Sequence, residues 1–190
     1  MHTPDLLAKV ERASAALSAG ETSYTLAVDN YENMHTFMAA KKASQACIDA
    51  VEAVISDEES RYDAGYCIVR PPGHHAHSED IQGFCFFNNV AIAAQYAVDK
   101  GKKVLIFDWD IHHGDGTQDI FYDSDQVLYM SLHRYDNMTF FPRREDSQVS
   151  YIGRDRGAGF NVNVAWQTGI VAKPTFQAVE GQEENDDREE

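Results

Sequence analysis

One short stretch limits what this chain can fold into. Val104-Leu105-Ile106-Phe107 is apolar and long enough for a buried strand. Asp108-Trp109-Asp110-Ile111-His112-His113-Gly114-Asp115-Gly116 follows at once. Ionisable groups this dense at the end of a buried strand are costly unless they are paired or hold a metal. Alternate residues of an extended chain share a side. Asp108, Asp110 and His112 then face one way, and Trp109 and Ile111 the other. An Asp and a His on one side form an O/N donor pair suited to zinc or a similar divalent ion. Asp-x-His alone reads equally as a polar loop capping a strand.

The flanking sequence supplies a frame. Thr3-Pro4-Asp5 is a helix start, with Thr3 as N-cap, Pro4 in the first turn and Asp5 at the positive end of the dipole. Leu6, Leu7, Val10, Ala13 and Leu17 recur at helical spacing, and Gly20 stops the run. A second helix is predicted over 36–55, burying Phe37, Ala40, Ala43, Cys47, Val51 and Val54, with a solvated loop over 56–60. Tyr66-Cys67-Ile68-Val69 reads as a strand emptying into Arg70-Pro71-Pro72-Gly73-His74-His75. An alanine-rich helix over 89–100 closes at Gly101, and a short helix is predicted over 117–122. Val127-Leu128-Tyr129-Met130-Ser131-Leu132 is a further strand, emptying into His133-Arg134-Tyr135, and 160–164 another.

Strands alternating with helices predict an α/β fold around a parallel sheet with right-handed crossovers. Ligands in such sheets sit beyond the carboxyl ends of the strands. Three strands deliver their histidines to that one edge, which is a separate reason to place a site there. The His74-His75 pair in isolation would read as surface loop.

The 190 residues suffice for one domain with a core. Acidic residues outnumber basic ones 31 to 16, giving a formal charge of −15. That excess gives no pull toward nucleic acid or an anionic membrane and suits a basic peptide better. The scattered Cys47, Cys67 and Cys85 suggest a reducing compartment rather than a disulfide framework. No secretory signal or run of transmembrane length is present. A soluble intracellular protein is the expectation. From about Gln167 the pattern fades, and Glu183-Glu184-Asn185-Asp186-Asp187-Arg188-Glu189-Glu190 has the composition of a disordered acidic tail.

In combination, five pieces are specific. They are Arg70-Pro71-Pro72-Gly73-His74-His75, Gly83-Phe84-Cys85-Phe86-Phe87-Asn88-Asn89, Asp108-Trp109-Asp110-Ile111-His112-His113-Gly114, Ser131-Leu132-His133-Arg134-Tyr135 with Phe140-Phe141-Pro142, and Asn161-Val162-Asn163-Val164. In this order they resemble the zinc-dependent histone deacetylases of class II type. The resemblance implies a partial catalytic domain over 1–166 and a divergent tail over 167–190. It implies a three-layer α/β fold of arginase/deacetylase type, incomplete here, with a mostly parallel sheet and helices on both faces. The implied activity is hydrolysis of acetyl-lysine amides on histones or other proteins. Corepressor-type partners and residence in nucleus or cytoplasm follow from the same likeness.

The resemblance also implies roles. Asp110 and His112 match two of three zinc ligands. His74 and His75 match the histidine pair beside the reacting water, hydrogen-bonded by Asp108 and Asp115 respectively. Gly83, Phe84 and Phe141 match substrate-contacting positions, the two phenylalanines as walls of a narrow tunnel, although plain core is an equal reading of their periodicity. Asp108, Asp110, His112, Ser131 and Leu132 match a buried potassium site. Phe121, Ser124, Val127 and Phe160 lie where a second monovalent ion would sit, but ordinary packing is preferred for them. Asp29 loosely matches an acidic rim residue that grips the substrate backbone, and a plain loop residue is preferred there too. Two adjacent histidines with different carboxylate partners can hold different protonation states. On that logic His75 is the general base and acid, and His74 its electrostatic partner.

The sequence also departs from the pattern. The family's third zinc-binding aspartate, in a later Gly-Phe-Asp-Ala-His stretch, has no counterpart, and neither does its glycine-rich turn with a carbonyl-polarising tyrosine. The family's first strand also precedes Met1. Zinc catalysis normally uses three protein ligands, and a lost oxyanion donor costs a few kcal/mol in the barrier. Impaired hydrolysis is therefore expected, with a catalytically inactive, protein-binding module as the alternative. A two-manganese ureohydrolase would need more Asp-rich motifs than this chain holds.

Overall fold

The computed structural model describes residues 1–20, 26, 27, 30–56 and 62–169. Asp29, the acidic loop at 57–60 and the tail from 170 lie outside them. The elements run α1 (Pro4–Ser18), α2 (Thr36–Ile55), α3 (Asn89–Asp99), β1 (Val104–Asp108), α4 (Asp115–Phe121), β2 (Val127–Arg134) and β3 (Asn161–Trp166).

Local chemistry sets the helix ends. Thr3 Oγ accepts the Leu6 N–H at 3.4 Å, and Pro4 opens α1. Leu6 and Val10 then point inward, each burial contributing roughly 1.5–3 kcal/mol. Leu7, placed on the same stripe by its spacing, turns outward. Helix α2 buries Ala40, Ala43 and Ser44, while Phe37, Cys47, Val51 and Val54 are half-buried. The Asn88 side chain caps α3 by accepting the Ala91 N–H at 3.0 Å.

The sheet is parallel throughout, in the order β1-β2-β3. Val104 pairs with Val127, Asp108 with Ser131, and Ser131 with Asn163, so the carboxyl ends of the strands lie together. One face packs on α3 and α4 through Ala91, Ala94, Ile106, Phe121, Val127 and Tyr129. Phe121 and Val127 belong to this cluster. A second cluster joins α1, α2 and the 81–87 segment through Leu6, Val10, Ala40, Ile81, Phe86 and Phe87. The described helices cover this one face. Opposite them Leu105, Phe107 and Val164 are exposed. Among the described residues, no helix is long and apolar enough to cross a membrane.

Tyr66-Cys67-Ile68-Val69 is not a strand. The segment is irregular, with Tyr66 and Ile68 about nine-tenths exposed. A strand needs a neighbour for its N–H and C=O groups, and no described strand runs beside this one. Its loop nevertheless reaches the sheet edge and delivers the two histidines.

Candidate functional site

Three loops converge on the carboxyl edge of the sheet. The 70–78 loop brings His74 and His75, whose ring centroids are 4.1 Å apart. His74 Nδ1 lies 2.9 Å from Asp108 Oδ2 at the end of β1. His75 Nδ1 lies 2.7 Å from Asp115 Oδ1 at the start of α4. Each histidine thus has its own carboxylate, and its Nε2 has no hydrogen-bond partner among the described residues. Close packing enforces the arrangement. A Cβ on Gly83, which has φ +55°, would stand 2.4 Å from His75 Cδ2. A Cβ on Gly114 would stand 2.4 Å from both Asp108 Oδ2 and the Tyr129 hydroxyl.

The environments separate the two imidazoles. Burial pulls the His74 pKa down, but the hydrogen bond and charge of Asp108, with Asp110 and Asp115 nearby, outweigh it and leave the pKa raised. Burial also lowers His75, and there Asp115 does not reverse it because the charges of His74 and His112 oppose protonation. Asp108 is held ionised against burial by His74, by the Asp110 N–H and by the Tyr129 hydroxyl. That hydroxyl lies 3.1 Å from Asp108 Oδ2 and 3.0 Å from the Gly114 carbonyl.

Asp110 and His112 come together, though not by strand alternation. Strand β1 ends at Asp108. The Asp110 N–H then donates to Asp108 Oδ1 at 3.1 Å, and the His112 N–H to Asp110 Oδ1 at 2.8 Å. These two short turns aim His112 Nδ1 at Asp110 Oδ1, 3.0 Å away. A tetrahedral zinc with bonds of about 2.0–2.2 Å holds its donors about 3.4 Å apart. An ion would therefore fit between these two atoms after a shift of a few tenths of an ångström. Among the described residues, no group of three His, Cys, Asp or Glu is placed to hold a metal ion together, so the donor set here is two. Trp109 is largely exposed and Ile111 about half exposed. Ser131 lies beside Asp108 in the sheet register, with its Oγ 2.9 Å from His133 Nδ1 and Leu132 half-buried next to it.

Aromatic rings border the edge. Phe141 stands edge-on to His75 at 4.9 Å, and Phe140 stacks on His112 at 4.9 Å. Phe84 is exposed on the 81–87 loop, its N–H held by Asn30 Oδ1 at 3.0 Å. A groove of about 720 Å³ lies on the Phe84 side, lined by Asn30, Tyr31, Arg70, Pro71, Pro72 and Phe86 among others. Tyr129, Phe140, Gln82, His77 and Arg144 also reach this edge and are not among the site residues the sequence singles out. Tyr129 had a readable signal, since strand alternation puts it on the face of Ser131.

Gly83→Ala is expected to cost about 1–3 kcal/mol, combining a strained backbone with a Cβ driven into the His75 ring. Urea unfolding would measure it. A midpoint equal to that of wild type would mean that the loop yields freely.

Three comparisons bear on this geometry. The histone deacetylase domain family matches residues 1–183. Histone deacetylase 18 of Arabidopsis thaliana is 42% identical over 154 residues, 78% of this chain and 22% of that protein. Human histone deacetylase 7 is 46% identical over 142 residues, 74% of this chain and 14% of that protein. The rat polyamine deacetylase HDAC10 is 40% identical over 171 residues, 87% of this chain and 28% of that protein. The chain thus spans between 14% and 28% of the length of these relatives. The crystal structure of the HDA15 HD domain superposes with a TM-score of 0.79 at 39% identity, over 87% of this chain and 44% of that one.

Proposed function

The chain belongs to the histone deacetylase family, and from that premise we propose that it carries the base-bearing part of a site for metal-dependent hydrolysis of acetyl-lysine amides. The observation that carries the reading is the separation of two adjacent imidazoles by two different carboxylates, beside an Asp/His donor pair.

Asp110 and His112 would hold zinc. A divalent ion there would polarise the acyl carbonyl and acidify water. His75 Nε2, free and unprotonated near neutrality, takes a proton from the attacking water. The same nitrogen returns that proton to the lysine nitrogen as the C–N bond breaks, leaving acetate and a free amine. His74, whose protonated form is favoured by Asp108, presents its Nε2 to the developing negative charge. Phe84 and Phe141 flank the acyl-lysine chain, and Gly83 leaves room for the His75 ring. Potassium at Asp108, Asp110, His112, Ser131 and Leu132 belongs to the same proposal and rests on the resemblance. So do acetylated histones or other proteins as substrate, corepressor-type partners, and a place in nucleus or cytoplasm.

Zinc titration by calorimetry and a fluorogenic acetyl-lysine peptide assay test the reading together. Asp110→Ala is expected to weaken zinc binding by at least about 10-fold and to lower turnover with it. Turnover undiminished in Asp110→Ala would remove the proposed donor pair. The two-donor count among the described residues favours one other reading, a deacetylase-like module that acts by protein binding. A folded chain that shows no hydrolysis at saturating zinc would remove the hydrolytic reading and leave that one to be tested by binding.

A further inference from the structure

The Asp115 carboxylate has two sides. Its Oδ1 faces His75 at 2.7 Å. Its Oδ2 accepts from Gln82 Nε2 at 2.8 Å, with His77 Nε2 at 3.3 Å and Arg144 Nη1 at 3.7 Å. The carboxylate has no solvent exposure, so these groups are what replaces water around it. Three separate segments supply them: the histidine loop, the loop before Phe84, and the loop after β2.

The two cations are themselves anchored. His77 Nδ1 lies 2.8 Å from Asp119 Oδ2, one turn along α4 from Asp115. Arg144 grips Asp119 with both terminal nitrogens, at 2.8 and 3.0 Å, and Asp146 with Nε at 2.9 Å and a second bond from Nη2. Such a planar fork fixes direction as well as charge. Asp115 and Asp119, although burial alone would hold them back, hold His77 protonated, its pKa pushed up to about 9. The three carboxylates against two cations leave one net negative charge. A proton arriving at His75 cancels it.

We propose that His77 and Arg144 are positioning residues for His75, acting through the rear oxygen of Asp115 to keep its front oxygen aligned on His75 Nδ1. This rests on the reading of His75 as the base. Without the two cations, Asp115 keeps only the Gln82 amide on that oxygen among the described residues, and its carboxylate is no longer held in one orientation. His75 then loses the partner that holds its proton at Nδ1 and its free pair at Nε2.

The test is made on the 190-residue chain with ¹⁵N-labelled histidine. His75→Ala identifies the downfield Nδ1–H resonance of His75. In His77→Asn and in Arg144→Gln that resonance is expected to move upfield or vanish into exchange, and Arg144→Lys is expected to restore it in part. With the acetyl-lysine peptide, kcat is expected to fall roughly 10-fold at unchanged KM, the low end of what hydrogen-bond partners of metal-binding histidines contribute. Far-UV circular dichroism identifies the folded variants. Should one fail to fold, the other with Arg144→Lys carries the comparison. An unchanged His75 resonance in a folded His77→Asn or Arg144→Gln protein overturns the proposal. A shifted resonance in a protein whose hydrolysis ignores His75→Ala leaves the positioning standing and removes the catalytic reading.

Discussion

His75→Ala will lower hydrolysis of an acetyl-lysine peptide by roughly 10²- to 10⁴-fold at saturating zinc, the range that general acid–base catalysis supplies. The ring is buried and its Nδ1 is committed to Asp115, so Nε2 is the nitrogen left for proton transfer. Burial, with the charges of His74 and His112, holds its pKa below the ordinary imidazole value. A base works in its neutral form. The acid limb of the pH profile for kcat/KM is therefore expected below about 6.5 rather than above it. Zinc affinity separates this loss from damage to the metal site. His75 stands 6.0 Å, centroid to centroid, from the His112 ring and donates nothing to the Asp110–His112 pair. Binding of zinc in His75→Ala should match that of wild type. Turnover that survives the substitution would assign the proton transfer to another group.

How much of this was legible beforehand depends on whether the signal was local. The start of α1 follows from Thr3-Pro4, and α2 follows from apolar spacing over 36–55, because caps and periodicity act within a few residues. The run at 104–107 announces β1 for the same reason, and parallel pairing follows from alternating strands and helices. Residues 66–69 have the composition of a strand, but whether they form one depends on a neighbour that local sequence does not specify. Alternation along an extended strand predicts Asp110 and His112 side by side. In the structure the Asp side chains themselves turn the chain just past the strand end. Asp115 opens α4 two residues before the predicted start of that helix, because the chain turns at Gly114 into space that a side chain would fill. His77, Gln82 and Arg144 could not be read at all. They meet Asp115 from 38, 33 and 29 residues away, and nothing in their own neighbourhoods marks them.

Asp115→Ala is expected to destabilise the folded chain by about 3–5 kcal/mol, the cost of breaking a buried ion pair from one side. Against a total stability of roughly 5–15 kcal/mol, that is a large fraction. The loss has identifiable parts. Gln82 Nε2 and His75 Nδ1 each lose their acceptor inside the protein, where an orphaned donor costs about 1–3 kcal/mol. His77 and Arg144 retain Asp119, so their charges are not stranded. Asp115→Asn separates charge from shape. Its carbonyl can accept from His75, but its amide then points at Gln82, His77 and Arg144, all of them donors, so most of the loss should remain. The pH dependence has a definite sign. In the folded chain His75 and His77 outweigh burial and keep the Asp115 pKa well below its unfolded value of about 3.9. Its contribution is therefore fully present above that value and fades as pH falls below it. Urea unfolding at pH 7 and again at pH 3 measures both effects. The gap between wild type and Asp115→Ala should narrow at the lower pH. A gap of equal size at both would show that the carboxylate's charge does not hold these loops together.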